Sequence, residues 1–87
     1  MKETPPQRLS ESFVATTSLE GHAYVCHFQL QSPGEDYLVT VLNKRYINPF
    51  LVERDASGQW RIRERVPPSI RALEFQFVQA VIENNKN

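Results

Sequence analysis

The sequence predicts an α+β domain, in which an antiparallel β-meander of four to five strands precedes one C-terminal helix packed on one face of the sheet. Three observations support this fold class: apolar residues alternate with period two from Ser12 to Gln31, a turn signature lies at Asp55–Gly58, and an apolar stripe with helical spacing follows Pro67-Pro68. A chain of 87 residues has room for a single domain. We place that domain at residues 11–84, between a flexible N-terminal tail at 1–10 and a frayed C-terminus at 85–87.

The first hairpin is predicted from the alternation on both sides of Glu20-Gly21. Glycine adopts a positive φ without a steric penalty, so these two residues can form a two-residue hairpin loop. That loop would place Thr17 opposite Tyr24 and Phe13 opposite Phe28. The aromatic positions of both strands then share one face, so the turn and the apolar pattern indicate the same register.

The middle of the chain is expected to supply a central strand. Residues 37–42 (YLVTVL) are apolar on both sides except at Thr40, which is typical of a strand covered on both faces. For residues 43–49 we expect a hairpin turn at 43–45, with Tyr46 beginning the next strand. Pro49 cannot donate a hydrogen bond to a ladder, so it marks an edge or a bulge.

A second hairpin is predicted around residues 55–58, because Asp at the first turn position and Gly at the fourth are typical of a type I turn closed by a glycine bulge. This turn would place Glu53 opposite Arg61 and Val52 opposite Ile62. Phe50, Val52, Trp60 and Ile62 would then share one face of the sheet.

The C-terminal helix is predicted from Ser69 to about Glu83, and the prolines before it suit a helix start. One apolar stripe on this helix would complete the core, whose predicted members are Phe13, Tyr24, Phe28, Val52, Trp60, Ile62, Ile70, Leu73, Phe77 and Val81. A second stripe, made of Phe75, Val78 and Ile82, lies further round the helix. Covering a sheet needs an apolar arc of only about 100°, so the second stripe is more than the core requires.

Composition and charge exclude several classes of function. Ten basic and ten acidic residues give a formal net charge of zero, which removes the usual electrostatic case for binding nucleic acid or an anionic membrane without sequence preference. No apolar stretch approaches the roughly 20 residues that span a bilayer, and the N-terminus has no apolar run typical of a signal peptide. The single cysteine, Cys26, excludes an intramolecular disulfide and fits a reducing compartment. We therefore expect a cytoplasmic protein without a membrane partner.

Candidate catalytic and metal-binding residues do not form a convincing site. Cys26 and His27 are neighbours on a strand and point to opposite faces, whereas His22 would lie about 13 Å from Cys26 along the strand. Cys26 shares its face with Tyr24 and Phe28, so we interpret it as a buried structural residue. The acidic residues are scattered, and the three glycines form no phosphate-binding loop. We expect no enzyme activity, no metal site and no cofactor.

Two hypotheses about function remain, and they belong to different classes. In the first, the chain is a protein-interaction module that forms a homodimer or binds another protein through Phe75, Val78 and Ile82, because exposed apolar surface usually marks an interface. In the second, alternating arginines and a nearby aromatic ring form a nucleic-acid-binding sheet face. The residues of this second hypothesis are Lys44, Arg45, Tyr46, Arg61 and Arg63.

Overall fold

The computed structural model describes residues 9–31 and 35–85. Five strands form one antiparallel sheet in chain order, and two consecutive helical segments follow. This arrangement confirms the predicted α+β meander. The strands are β1 (Ser12–Leu19), β2 (His22–Gln31), β3 (Asp36–Val41), β4 (Phe50–Arg54) and β5 (Trp60–Arg61), and the helices are α1 (Pro68–Ala72) and α2 (Glu74–Asn84).

The first hairpin has the predicted register. Phe13 pairs with Phe28 and Thr17 pairs with Tyr24. Glu20 and Gly21 have φ values of 51° and 81°, which is the backbone of a type I′ turn and matches the twist of the two strands. The predicted aromatic face is the one that packs into the core.

The second hairpin also closes as predicted. The Gly58 N–H donates to the Asp55 carbonyl oxygen at 2.9 Å, the Asp55 N–H donates to the Gln59 carbonyl oxygen at 2.8 Å, and Gly58 has a φ of 88°. Glu53 faces Arg61. Strand β5 ends at Arg61, however, so the side-chain alternation expected to carry on through Arg63 stops there.

The connection between β3 and β4 corrects one expectation. Tyr46 does not begin a strand, since β4 starts at Phe50 and residues 42–49 form an irregular connection. The Asn43 side chain accepts the Val25 N–H at 3.0 Å and donates to the Ala23 carbonyl oxygen at 2.9 Å, so a side chain completes the edge of β2 where a longer β3 would have done so. Ile47, in the same connection, is buried in the core.

The helix differs from the single uninterrupted segment expected from Ser69 to Glu83. It begins at Pro68 and is interrupted at Leu73, whose φ of −93° and ψ of 0° depart from the values of a regular α-helix but stay in the right-handed region. The Leu73 N–H donates to Ile70 three residues earlier, and the Phe77 N–H then donates to the Leu73 carbonyl oxygen, so the helical direction largely continues. The buried Leu73 side chain stays in the core across this interruption.

The core lies between the inner face of the sheet and the helix. The predicted core residues are buried except Phe13 and Trp60, which are partly buried against it. Phe28 is at the centre, because its ring stacks on Phe13 at 4.5 Å between centroids and meets Phe77 edge-on at 6.2 Å. Offset and edge-on aromatic pairs stabilise a core beyond their buried area.

Both ends of the described chain are attached to the domain at one pole. Of the tail expected at 1–10, residues 1–8 lie outside the described residues, while Leu9 packs against the core and the Ser10 N–H donates to Asn85 Oδ1 at 2.7 Å. The Tyr37 hydroxyl donates to the Ser10 carbonyl oxygen at 2.7 Å. Of the frayed end expected at 85–87, Asn85 makes these contacts, and residues 86–87 lie outside the described part.

Candidate interaction surface

Side chains of the helical region bind the backbone at both edges of the sheet. At the β1 edge, the Ser18 N–H donates to Gln76 Oε1 at 3.0 Å and Gln76 Nε2 donates to the Ser18 carbonyl oxygen at 2.9 Å. Beyond β5, the Ile62 N–H donates to Glu74 Oε2 at 2.8 Å and Arg71 Nη1 donates to the Ile62 carbonyl oxygen at 2.8 Å. Because the helical region is bound at both edges of the sheet, α2 is held in one rotation about its own axis.

This rotation separates the two apolar stripes predicted for the helix. Phe77 and Val81 are buried against the sheet. On the other side, Phe75 is 73% exposed, Ile82 is 42% exposed and Val78 is half-buried between them. The three residues predicted as partner-binding therefore lie together along one exposed side of α2.

A groove runs between this side of α2 and the hairpin of β4 and β5. One cavity of about 280 Å³ is lined by Trp60, Phe75 and Val78. A neighbouring cavity of about 400 Å³ shares Trp60 and Val78 and extends to Ile82. The exposed stripe thus forms one wall of a concave surface whose opposite wall carries an indole ring.

Trp60 was predicted only as a core residue, and its place in the groove was missed. Its ring lies 5.7 Å from the Tyr37 ring on one side, and the Arg54 guanidinium lies 4.8 Å from its centroid. Arg54 also forms an ion pair with Glu35 at 3.1 Å. The available signal was the residue type, because tryptophan often combines a buried edge with an exposed one at interfaces.

Arg61 is bound within its own hairpin. Its Nε lies 3.0 Å from Asp55 Oδ2, although Glu53 is the residue directly opposite on β4. Hydrogen bonds from the Ser57 side chain and the Gln59 N–H, aided by the charge of Arg61, lower the pKa of Asp55 to about 2. Asp55, which we expected only to close the turn, therefore also binds Arg61. Arg61 is one of the residues that the nucleic-acid hypothesis assigns to binding.

The remaining residues of that hypothesis are distributed over separate parts of the surface. Lys44 and Arg45 precede Tyr46 in the connection between β3 and β4, where the Lys44 ammonium lies 5.1 Å from the centroid of the Tyr24 ring. Arg63 is exposed beyond the end of β5. The structure therefore does not align the five residues on one strand-borne face.

Tyr46 has a basic neighbour that the hypothesis did not include among its site residues. The Tyr46 side chain is 80% exposed and lines a cavity of about 190 Å³ together with Glu64 and Arg65. The wall of this cavity therefore combines an exposed aromatic ring with one acidic and one basic residue.

Cys26 and the two histidines occupy the positions expected from strand alternation. Cys26 is fully buried, and burial raises the pKa of its thiol to about 11, with the nearby Thr17 side chain acting in the opposite direction. His22 is exposed, and His27 lies on the outer face of the sheet. Within residues 9–31 and 35–85, no group of three or more His, Cys, Asp or Glu residues could hold a metal ion.

Comparisons with family models, curated proteins and solved structures gave no match to this chain. No helix in the described part of the chain is long and apolar enough to cross a membrane.

Proposed function

We propose that this chain is a non-enzymatic protein-interaction module that self-associates through the exposed side of α2. The observation that carries the proposal is the position of Phe75, 73% exposed at one end of the groove lined by Trp60 and Val78. The expected cytoplasmic location belongs to this proposal.

The contact we propose places Phe75 of each copy in the groove of the other. Such an exchange is compatible with a twofold axis, because the same patch then serves both copies. Full burial of a Phe side chain contributes roughly 1.5–3 kcal/mol, whereas association costs about 4–15 kcal/mol in lost freedom. Two Phe75 rings alone therefore do not hold a stable dimer, so Trp60, Val78 and Ile82 must contribute to the same contact.

Light scattering coupled to size-exclusion chromatography tests this proposal. The unmodified chain should elute with a mass above 10.1 kDa per particle, and Phe75→Glu and Ile82→Glu should each lower that mass. Leu42→Glu is the matched control, since it places the same acid at an exposed apolar position just after β3, outside the residues that line the groove. Equal masses for Phe75→Glu, Ile82→Glu and the control would contradict self-association through α2.

A second candidate function is binding of single-stranded nucleic acid through Lys44, Arg45, Tyr46, Arg61 and Arg63. The observation in its favour is the exposed Tyr46 ring, which lines one cavity together with Arg65. Protein purified at low salt without nuclease would then show excess absorbance at 260 nm that high salt removes. A double Arg61→Ala, Arg63→Ala variant should reduce this signal, and an unmodified protein without it would rule the candidate out.

A further inference from the structure

The β1 strand forms an unusually open edge of the sheet. It is eight residues long and contains no charged residue and no proline (SFVATTSL). Edge strands of natural proteins usually carry lysine, proline, bulges or a covering element, since unpaired backbone groups otherwise pair with another chain. Among the described residues, Gln76 is the one whose side chain covers the β1 edge, and it does so at Ser18.

The hydrogen-bonding pattern shows which backbone groups of β1 are open. Glu11 accepts the Leu30 N–H of β2, whereas the N–H and C=O of Ser18 point away from β2 to Gln76. In an antiparallel ladder alternate residues point to the same side, so the backbone groups of Ser12, Val14 and Thr16 also point away from β2. Within the described residues, these groups have no hydrogen-bond partner.

The opposite edge of the sheet is better protected. Strand β5 has two residues, and the next outward-facing residue, Ile62, is bound by Glu74 and Arg71. Within residues 9–31 and 35–85, Trp60 is the one residue of β5 whose outward-facing backbone groups are left for a partner strand. The two edges therefore differ, and the longer run of free backbone groups belongs to β1.

We infer that β1 pairs in antiparallel orientation with β1 of a second copy, about a twofold axis at Val14. The free outward-facing residues are symmetric about Val14, so Ser12 of one copy meets Thr16 of the other and Val14 meets Val14. A register shifted toward Leu19 would require Ser18, whose backbone groups Gln76 already binds. Gln76 thus disfavours pairing that includes Ser18, and among the remaining registers the one centred at Val14 pairs all three free residues.

A second copy fits this edge in its side chains as well as its backbone. In the inferred register, Phe13 of one copy lies beside Ala15 of the other on the inner face, and both are only partly buried in the single chain. Val14, 57% exposed on the outer face, lies beside its own counterpart. Because the paired segments have no charged residue, the twofold axis brings no like charges together.

This strand interface is independent of the α2 surface proposed above. Two different self-complementary surfaces on one chain produce either a closed four-chain assembly or an open array. Removing one surface should leave dimers built on the other, so the two proposals can fail separately.

Cysteine cross-linking tests the register directly. In the inferred pairing, the Val14 Cα atoms of the two copies lie about 5.5 Å apart, within the range for a disulfide. Val14→Cys should therefore form an intermolecular disulfide under mild oxidation. Thr16→Cys is the matched control, because its two copies would be separated by four residues, about 13 Å. Equal cross-linking of both variants would overturn the inference. The native cysteine, Cys26, is buried and present in both variants, so any cross-linking through it is the same in both.

A mass measurement in the Phe75→Glu background tests whether the pairing exists without the helix contact. There we expect a particle of two chains, reduced to one chain by adding Val14→Pro but not by adding Val14→Thr. Proline removes the N–H of Val14, which points away from β2 and bonds to no group in the described part of the chain. The circular dichroism spectrum should therefore be retained. A single-chain particle for Phe75→Glu alone would overturn the inference. A two-chain particle for both the unmodified protein and Phe75→Glu, reduced by Val14→Pro, would support the strand interface and refute the helix contact.

Discussion

Replacing Phe77 by alanine should destabilise the domain strongly, whereas the same replacement at Phe75, two residues earlier in the same helix, should not. Phe77 is fully buried, and its ring centroid lies 6.2 Å from that of Phe28 and 5.3 Å from that of Phe50. Truncating a buried Phe to Ala costs about 3–5 kcal/mol, through lost burial and the cavity left behind. Phe75 is mostly solvent-exposed, where substitutions usually change stability by about 0.5 kcal/mol or less.

The size of the domain makes this difference easy to measure. At roughly 0.05–0.15 kcal/mol per residue, a domain of this length has a free energy of unfolding of about 4–13 kcal/mol. Each kcal/mol shifts the Tm of such a small domain by about 4–8 °C, so Phe77→Ala should lower it by at least about 12 °C. A Tm for Phe75→Ala close to that of the unmodified chain is expected in the same experiment.

Urea unfolding followed by far-ultraviolet circular dichroism is the appropriate assay, at a chain concentration where both variants are monomeric. The midpoint should fall for Phe77→Ala while the m value stays constant, since the surface exposed on unfolding hardly changes. If the two variants differ by less than about 1 kcal/mol, the buried and exposed sides of α2 have been assigned wrongly. The position of the proposed interaction surface would then be wrong as well.

Three further predictions concern the turns and the cysteine. Gly58→Ala should lower the free energy of unfolding by only about 1–2 kcal/mol, measured by thermal unfolding, because an added Cβ meets no atom within 4 Å and only the φ of 88° is strained. A larger decrease would indicate a steric clash. The pKa of Asp55 is lowered from 3.8 to about 2, so its stabilising contribution is complete above pH 3.8 and is lost as the pH falls through about 2. Asp55→Asn should lack this part of the acid-induced fall in Tm, and identical pH profiles would contradict the assignment. Cys26 should react with a thiol reagent at neutral pH only after urea unfolds the protein, since burial raises its pKa to about 11; rapid reaction of the folded chain would show that the thiol is accessible.

The sequence predicted those features that depend on local chemistry and alternation. The type I′ turn at Glu20-Gly21 and the bulged turn closed by Gly58 each require a positive φ, and each one fixes the register of its hairpin. The face of β1 and β2 that enters the core followed from period two alone. For the helix, the 3.6-residue period was sufficient to separate the side of Phe77 from the side of Phe75.

Features that depend on contacts between distant residues could not be predicted in this way. The interruption at Leu73 has no glycine or proline to signal it, and the core beneath that residue determines where its side chain must lie. The burial of Ile47 depends on an irregular connection that has no period. The Arg61–Asp55 ion pair was missed because the residue directly opposite Arg61 is Glu53, while the side chains join diagonally across the bulge.

The sheet edges were likewise outside the reach of pattern arguments. Gln76 lies 58 residues from Ser18, and nothing in either local sequence indicates that the amide binds that backbone. Trp60 was placed correctly beside the core, but its groove exists only because α2 lies next to the last hairpin. The candidate surface could therefore be predicted as a stripe on a helix, although its second wall could not.

The binding of the sheet edges by side chains of the helical region has a consequence for the order of folding. Every strand pairs with its neighbour along the chain, so the meander can assemble from short loops, whereas the Ser18–Gln76 contact closes a loop of 58 residues and the Ser10–Asn85 contact one of 75. Loop-closure entropy makes such distant contacts slower to form than hairpins. A nascent chain should therefore present a nearly complete sheet before the helix docks, and during that interval Ser18 is as open to another chain as Val14. Refolding yield should fall with chain concentration, and strengthening the helix–sheet contacts should shorten the period of exposure.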